Sequence, residues 1–211
     1  MTAVIAAAGS GERLGAGGPK AFVPLGGRPM IDWSLDACRA CGSVAAVVVA
    51  VPAGDAHGLQ DVVTVEGGAT RGESVAKALS AVDTDLVAIH DAARPLLTPK
   101  MLDDLVAVLV ADPRADGVIA AAPVTDTVKR VEGDRIAGTL DRSELWGAQT
   151  PQVFRTEALR KASRSAHAVT DEATLIEAAG GKVLVHDCGA PNIKVTTPVD
   201  LRLAELLLSG R

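Results

Sequence analysis

Short, continuous apolar runs alternate along the chain with longer amphipathic stretches, and the two periods separate strands from helices. Ala3 to Ala8, Val44 to Val51, Leu86 to Ile89, Gly117 to Ala122 and Val183 to His186 have the pattern of strands buried on both faces. Between and after them, Met30 to Arg39, Ser74 to Val82, Pro99 to Val110, Thr156 to Ser163, Thr170 to Ala179 and Pro198 to Leu208 carry apolar residues at helical spacing. Pro99 follows Thr98 and Pro198 follows Thr197, which places a capping hydroxyl ahead of a proline at the first helical position. Strand and helix in alternation predict an α/β fold, a mostly parallel sheet with helices on both faces. Ligands in such sheets bind beyond the carboxyl ends of the strands, so functional residues are expected just after each apolar run.

One segment breaks the alternation. From Pro123 to Gly147 the chain is polar and β-leaning, with a turn signal at Glu132-Gly133-Asp134, and it reads as a hairpin projecting from the body. A long polar hairpin is marginal alone, so it is expected to pack on a second copy of the chain.

Composition narrows the class. With 211 residues, of which 48% are hydrophobic, a single core over residues 1–211 is expected. Only 2% of residues are aromatic, so the core must be aliphatic and a base-stacking platform for single strands is not expected. The net charge of -5 argues against binding nucleic acid, which needs a basic face. No apolar run reaches the roughly 18 residues that cross a bilayer, and no basic leader precedes an apolar stretch. The 3 cysteines are an odd number, and the chain reads as cytoplasmic, with no membrane partner.

The first strand ends in Ala7-Ala8-Gly9-Ser10-Gly11-Glu12-Arg13, a turn whose backbone N–H groups can face phosphate oxygens. It is neither a dinucleotide fingerprint, since Leu14 replaces the third glycine, nor a P-loop, since Gly18-Pro19-Lys20-Ala21 lacks the Lys-Ser/Thr pair. Arg13 and Lys20 remain as two cations for a polyphosphate. Glu66 to Ser74 sets small residues and Arg71 at a helix start. Ile89-His90-Asp91-Ala92-Ala93-Arg94 sets an acid and an arginine at a strand end, where an acid can hold a divalent ion or a hydroxyl. Asn192-Ile193-Lys194 brings a further lysine to a strand end. Cys38-x-x-Cys41 falls at the end of a helix, where the dipole does not favour a thiolate, and is read as structural. The histidines lack the spacing of zinc ligands, and Ser10 is not in a nucleophile elbow.

Cations from several loops, one acid, a glycine-rich backbone and no evident general base suit attack by a phosphate group on a nucleotide's α-phosphorus. A phosphate monoester is already ionised at neutral pH, so no proton need be removed from the nucleophile. The obstacle is repulsion between two anions, and the remedy is cations with Mg2+.

In chain order, Ala7 to Arg13 with Pro19-Lys20, Gly67-Gly68 with Arg71 and Ser74, His90 to Pro95, Pro123 to Lys129, Arg142 with Leu145-Trp146, Thr150-Pro151-Gln152, Thr170-Asp171-Glu172-Ala173 and Asn192 to Thr196 resemble the 2-C-methyl-D-erythritol 4-phosphate cytidylyltransferase family. The resemblance implies a single Rossmann-like nucleotidyltransferase domain, with a β-arm at about 123–147 used in homodimerisation. It implies that Arg13, Lys20, Arg142 and Lys194 are catalytic. Ala7, Ala8, Gly9, Gly11, Gly68, Arg71, Ser74, Asp91 and Ala92 would bind CTP. Asp91, Arg94, Thr127, Arg142, Thr150 and Lys194 would bind methylerythritol phosphate, with Thr127 and Arg142 reaching the neighbour's site. The implied cofactor is Mg2+ or another divalent cation, held mainly by the CTP phosphates, with Asp91 as its candidate protein ligand. Ala69 stands where some relatives carry an acid, which leaves cytosine selection to backbone groups. A cytidylyltransferase for another polyol phosphate, such as ribitol 5-phosphate, and a non-catalytic nucleotide sensor are the alternatives.

Overall fold

The structure is a computed structural model that describes residues 1–9, 11, 14, 18–54, 58–164, 171–189 and 191–210. The chain opens with β1 (Thr2–Ala6), the short pair β2 (Pro24–Leu25) and β3 (Arg28–Pro29), then α1 (Met30–Ala40), β4 (Ala46–Val51) and β5 (Val63–Glu66). It continues through α2 (Arg71–Leu79), β6 (Leu86–Asp91), α3 (Pro99–Ala111) and β7 (Gly117–Pro123) to a hairpin of β8 (Lys129–Glu132) and β9 (Arg135–Thr139). The last elements are β10 (Trp146–Arg155), α4 (Thr156–Ser163), α5 (Glu172–Ala178), β11 (Val183–Asp187) and α6 (Pro198–Ser209).

The main sheet has 7 strands in the order β11-β7-β10-β6-β1-β4-β5. Its pairs are parallel except those of β10, which runs antiparallel between β6 and β7. Every strand read from the apolar runs is present, and so is the α/β class. Two strands lack that signal. β5, Val-Thr-Val-Glu, is a short edge strand. β10 carries Gln149, Thr150, Pro151 and Gln152 where an apolar run would stand, and its ladder with β7 shifts register between Ala148 and Gln152. A proline cannot donate to a ladder, so the irregularity falls where the sequence demands it.

Successive strand residues face opposite sides, and each side has its own helices. Ile5, Val49, Ala88, Val118 and Val153 pack with Ile31 and Leu35 of α1 and with Leu102 and Leu105 of α3. Val4, Val48, Ile89, Ile119 and Phe154 pack with Val75 of α2, Leu159 of α4 and Ile176 of α5. A third cluster, in which Leu14, Val23, Leu25 and Met30 meet Val195 and Ala204 of α6, lies beyond the end of β1 and ties the first glycine loop to the C-terminal segment. Thr98 and Thr197 cap α3 and α6 as read, and Asp200 completes a capping box at α6. Cys38 and Cys41 are buried at the end of α1, burial pushes the Cys38 thiol up to about 12, and Cys41 Sγ donates to Asp103. They are structural, as expected.

From β1 the chain runs outward to β4 and β5, then returns to β6 on the other side of β1. That reversal makes the β1–β6 boundary the switch point where such sheets bind ligands. The hairpin is shorter than the polar pattern suggests, because Pro123 and Trp146 already pair within the main sheet. Gly133, at φ +60°, makes its turn, and Val131 and Ile136 are exposed on it.

Phe154 is fully buried, and the Cα of Gly117 faces its ring so closely that a Cβ there would sit 2.3 Å from Cδ1. Phe154→Ala is expected to cost about 3–5 kcal/mol, read as a lower urea midpoint at unchanged slope.

Candidate active site

At the switch point lies an open cleft of about 610 Å3. All the residues read as nucleotide-binding line it: Ala7, Ala8, Gly9 and Gly11 after β1, Gly68, Arg71 and Ser74 around the start of α2, and Asp91 and Ala92 at the end of β6. Lys20 and Lys194 line the same cleft from opposite ends of the sequence. Arg13 lies outside the described residues. Arg94 and Thr150 stand behind the wall, and Thr127 and Arg142 are exposed on the segments flanking the β8–β9 hairpin, where Arg142 Nη1 donates to the Thr125 carbonyl.

Small residues here are a requirement of close approach. Gly11 has φ +73°, and a Cβ on it would meet the Lys20 Cβ at 2.9 Å. The Lys20 N–H donates to the Gly9 carbonyl at 3.1 Å, which closes the loop and sets the lysine on its rim. A Cβ on Gly67 would lie 2.4 Å from the Ala8 Cβ, so the β1 loop and the α2 loop touch backbone to side chain. Ser74 is buried, and its Oγ accepts from Gly68 N–H at 3.0 Å while donating to the Thr70 carbonyl at 2.9 Å. Its hydroxyl shapes the wall. The Ala69 backbone N–H donates to Glu73 Oε2 at 2.8 Å, a partner that sequence alone did not identify.

The electrostatic centre is Asp91. Arg71 Nε donates to its Oδ1 at 2.7 Å and Lys194 Nζ to its Oδ2 at 2.7 Å. Burial by itself would raise this carboxyl, but the two cations outweigh it and hold Asp91 well below the usual carboxylate range. Behind Arg71, Nη1 donates to both oxygens of Glu172 at 2.8 Å, and Glu172 is 2% exposed. Burial pushes the Glu172 carboxyl up, against the pull of Arg71. The sequence placed Glu172 in a motif without a role.

A second network fixes the Asp91 backbone. His90 Nε2 lies 3.1 Å from the Arg94 carbonyl, which can only accept, so Nε2 carries the proton and Nδ1 is the acceptor. Thr150 Oγ1, 3.2 Å from Nδ1, therefore donates to the ring, and it accepts the Asp91 N–H at 3.0 Å. Arg94 Nη1 donates to the Asn192 carbonyl at 2.6 Å, Asn192 Nδ2 donates to the Thr150 carbonyl at 2.8 Å, and Val195 N–H donates to the Ala93 carbonyl at 2.8 Å. These bonds bolt the end of β6 and the middle of β10 to the segment before α6 and thereby place Lys194 opposite Asp91. The sequence clue was polar residues at strand ends, but which of them face the cleft is a three-dimensional fact.

Chemically, the arrangement can bind a polyphosphate on glycine-loop N–H groups between lysines, with a permanently charged carboxylate between the two halves of the wall. Among the described residues no group of three or more metal-ligating side chains occurs. No helix is long and apolar enough to cross a membrane, again among the described residues.

Complete burial pushes His90 down to about 4 from its ordinary 6.5. The unfolded chain takes up the proton first, so this histidine's contribution is whole above pH 6.5 and is lost as pH falls towards 4. Wild-type stability is expected to fall more steeply across that window than that of His90→Gln, by up to about 3 kcal/mol, in urea titrations at successive pH values.

Comparison with known proteins agrees with this geometry. Residues 1–210 match the family model of 2-C-methyl-D-erythritol 4-phosphate cytidylyltransferase. The enzyme of that name from Azoarcus sp. (strain BH72) is 44% identical over 224 residues, covering 99% of this chain and 94% of that protein. The one from Parasynechococcus marenigrum (strain WH8102) is 43% identical over 226 residues, covering 100% and 99%. The crystal structure of 2-C-methyl-D-erythritol 4-phosphate cytidylyltransferase from Thermus thermophilus superimposes with a TM-score of 0.83 at 34% identity, covering 98% of each chain. With the switch-point cleft and the ordered motifs behind it, the chain belongs to the 2-C-methyl-D-erythritol 4-phosphate cytidylyltransferase family and is a nucleotidyltransferase.

Proposed function

We propose that the cleft works by direct displacement between two anions. The chain transfers CMP from CTP to 2-C-methyl-D-erythritol 4-phosphate, giving 4-diphosphocytidyl-2-C-methyl-D-erythritol and pyrophosphate. The acceptor's phosphate oxygen forms a bond to the α-phosphorus while the bond from that phosphorus to the β-phosphate bridging oxygen breaks, and the electron pair leaves with pyrophosphate. No base is needed, because the attacking monoester is already ionised. The observation that carries the reading is that Lys20 and Lys194 meet in one cleft with the glycine loop of β1.

In this reading the backbone of Ala7, Ala8, Gly9 and Gly11 with Lys20 and Arg13 grips the triphosphate of CTP. Gly68, Arg71, Ser74 and Ala92 form the wall for cytosine and ribose. Asp91 and Lys194 face the acceptor, with Arg94 and Thr150 serving that half through the bonds that fix Asp91 and the 192–195 segment. Thr127 and Arg142, outside their own cleft, reach the acceptor of a neighbouring subunit in a homodimer built on the arm; the exposed Val131 and Ile136 support such a contact. Asp91 is the one carboxylate among the described residues lining the cleft, and its hard oxygens suit a Mg2+ ion shared with phosphates and water. Asp91 is the side chain that would hold that ion. When bound, Mg2+ adds positive charge at the phosphates.

Pyrophosphate release from CTP is expected with methylerythritol phosphate and not with ribitol 5-phosphate; release with ribitol 5-phosphate alone would overturn the acceptor. Lys194→Ala is expected to lower kcat/KM by about 100- to 1000-fold. Mixed subunits carrying Lys20→Ala and Arg142→Ala should regain part of the activity, since one hybrid site keeps both residues. No recovery in isolated heterodimers would place Arg142 in its own subunit's site.

A further inference from the structure

Glu172 has no place in the reaction as described, yet it is one of the most deeply buried charged groups in the chain. Both of its oxygens lie 2.8 Å from Arg71 Nη1. On the guanidinium fork, Nε and Nη2 share the other edge. Only Nε is engaged there, donating to Asp91 Oδ1 at 2.7 Å, while Nη2 is buried without a hydrogen-bond partner. The second Asp91 oxygen is taken by Lys194 Nζ at 2.7 Å. An arginine beside a carboxylate commonly takes both oxygens through two parallel N–H bonds, and here it does not.

We infer that Glu172 is a positioning residue: by holding Nη1 it keeps Arg71 on one oxygen of Asp91 and so reserves the other for Lys194. Remove its charge, and Nη1 becomes a buried donor with a poorer acceptor, a state that side chains relieve by turning to the nearest carboxylate. That carboxylate is Asp91. As the guanidinium rolls, the idle Nη2 takes Oδ2 and Lys194 loses its resting place in the cleft. Glu172 is itself anchored, since the preceding Asp171 caps α5 through Thr174 N–H at 3.1 Å and accepts from Gln152 Nε2 of β10 at 3.2 Å. The acid is therefore tied to the same irregular middle of β10 that carries Thr150.

This inference rests on the reading that Lys194 meets the acceptor's phosphate. Its test is a double-mutant cycle of E172Q with K194A, reading kcat/KM for methylerythritol phosphate at saturating CTP, with thermal unfolding of each variant alongside. E172Q is expected to lower kcat/KM by about 10- to 100-fold, the usual loss when a supporting residue behind a reactive group is removed. In the K194A background the same change should cost less than about 3-fold, because the effect travels through Lys194. Equal losses in both backgrounds would overturn the inference alone. An unchanged kcat/KM for K194A by itself would overturn the assignment of Lys194, and the inference with it. Should E172Q fail to fold, E172D, which keeps the charge but withdraws it by one methylene, takes its place in the cycle with the same criterion.

Discussion

A carboxylate held between two cations organises the cleft. Asp91 is buried at the end of β6, and an unpaired charge there would not persist. Arg71 from the start of α2 and Lys194 from the segment before α6 neutralise it, each at 2.7 Å. The demand that this one carboxylate be paired fixes the relative positions of parts of the chain separated by 20 and 103 residues. Breaking such a pair from either side strands a buried charge, which costs more than the pair itself contributes.

The sheet supplies what the pairing needs. β1 and β6 are neighbours at the switch point, so Ala6 and Asp91 come level in register and the loops that follow open on the same side. The residues around the cleft are small because backbones approach closely, as Gly67 against Ala8 and Gly11 against Lys20 show. The apolar cluster shared by Leu14, Val23, Val195 and α6 presses the glycine loop and the Lys194 segment against each other from outside. Val195, the neighbour of Lys194, is fully buried in that cluster, so apolar packing anchors the segment that carries this lysine.

Much of this was legible in the sequence. Parallel strands announce themselves as apolar runs, and their carboxyl ends, where Asp91 and the glycine loop lie, follow directly. The hidden parts are those where polarity is buried by hydrogen bonding. β10 lacked an apolar run because Thr150 Oγ1 and the Gln152 amide N–H2 find partners distant in sequence, the Asp91 N–H and Asp171, and a one-dimensional pattern cannot show such partners. The family resemblance implies Thr150 as a substrate contact, and the structure adds that its hydroxyl donates to His90 and accepts the Asp91 N–H. Glu172 was visible only as a motif member, since a helix-start acid ordinarily means dipole complementarity rather than a buried ion pair.

The charge balance of the resting cleft explains how a site built to attract phosphates can fold in their absence. Arg71 and Lys194 are matched by Asp91 and Glu172, so the connected group carries no net charge and each cation has a counter-ion within the protein. Two anionic substrates do not add to a neutral group; they exchange with it, and the side chain best able to exchange is the one on the outside. Lys194 is 42% exposed against 26% for Arg71, and it sits on a flexible stem with a single contact to Asp91. Arg71, bound to acids on both sides, stays as the fixed element. The resting site thus separates a fixed pair, Arg71 between Asp91 and Glu172, which keeps the wall in shape, from a more exposed cation, Lys194, which is held by one acid only.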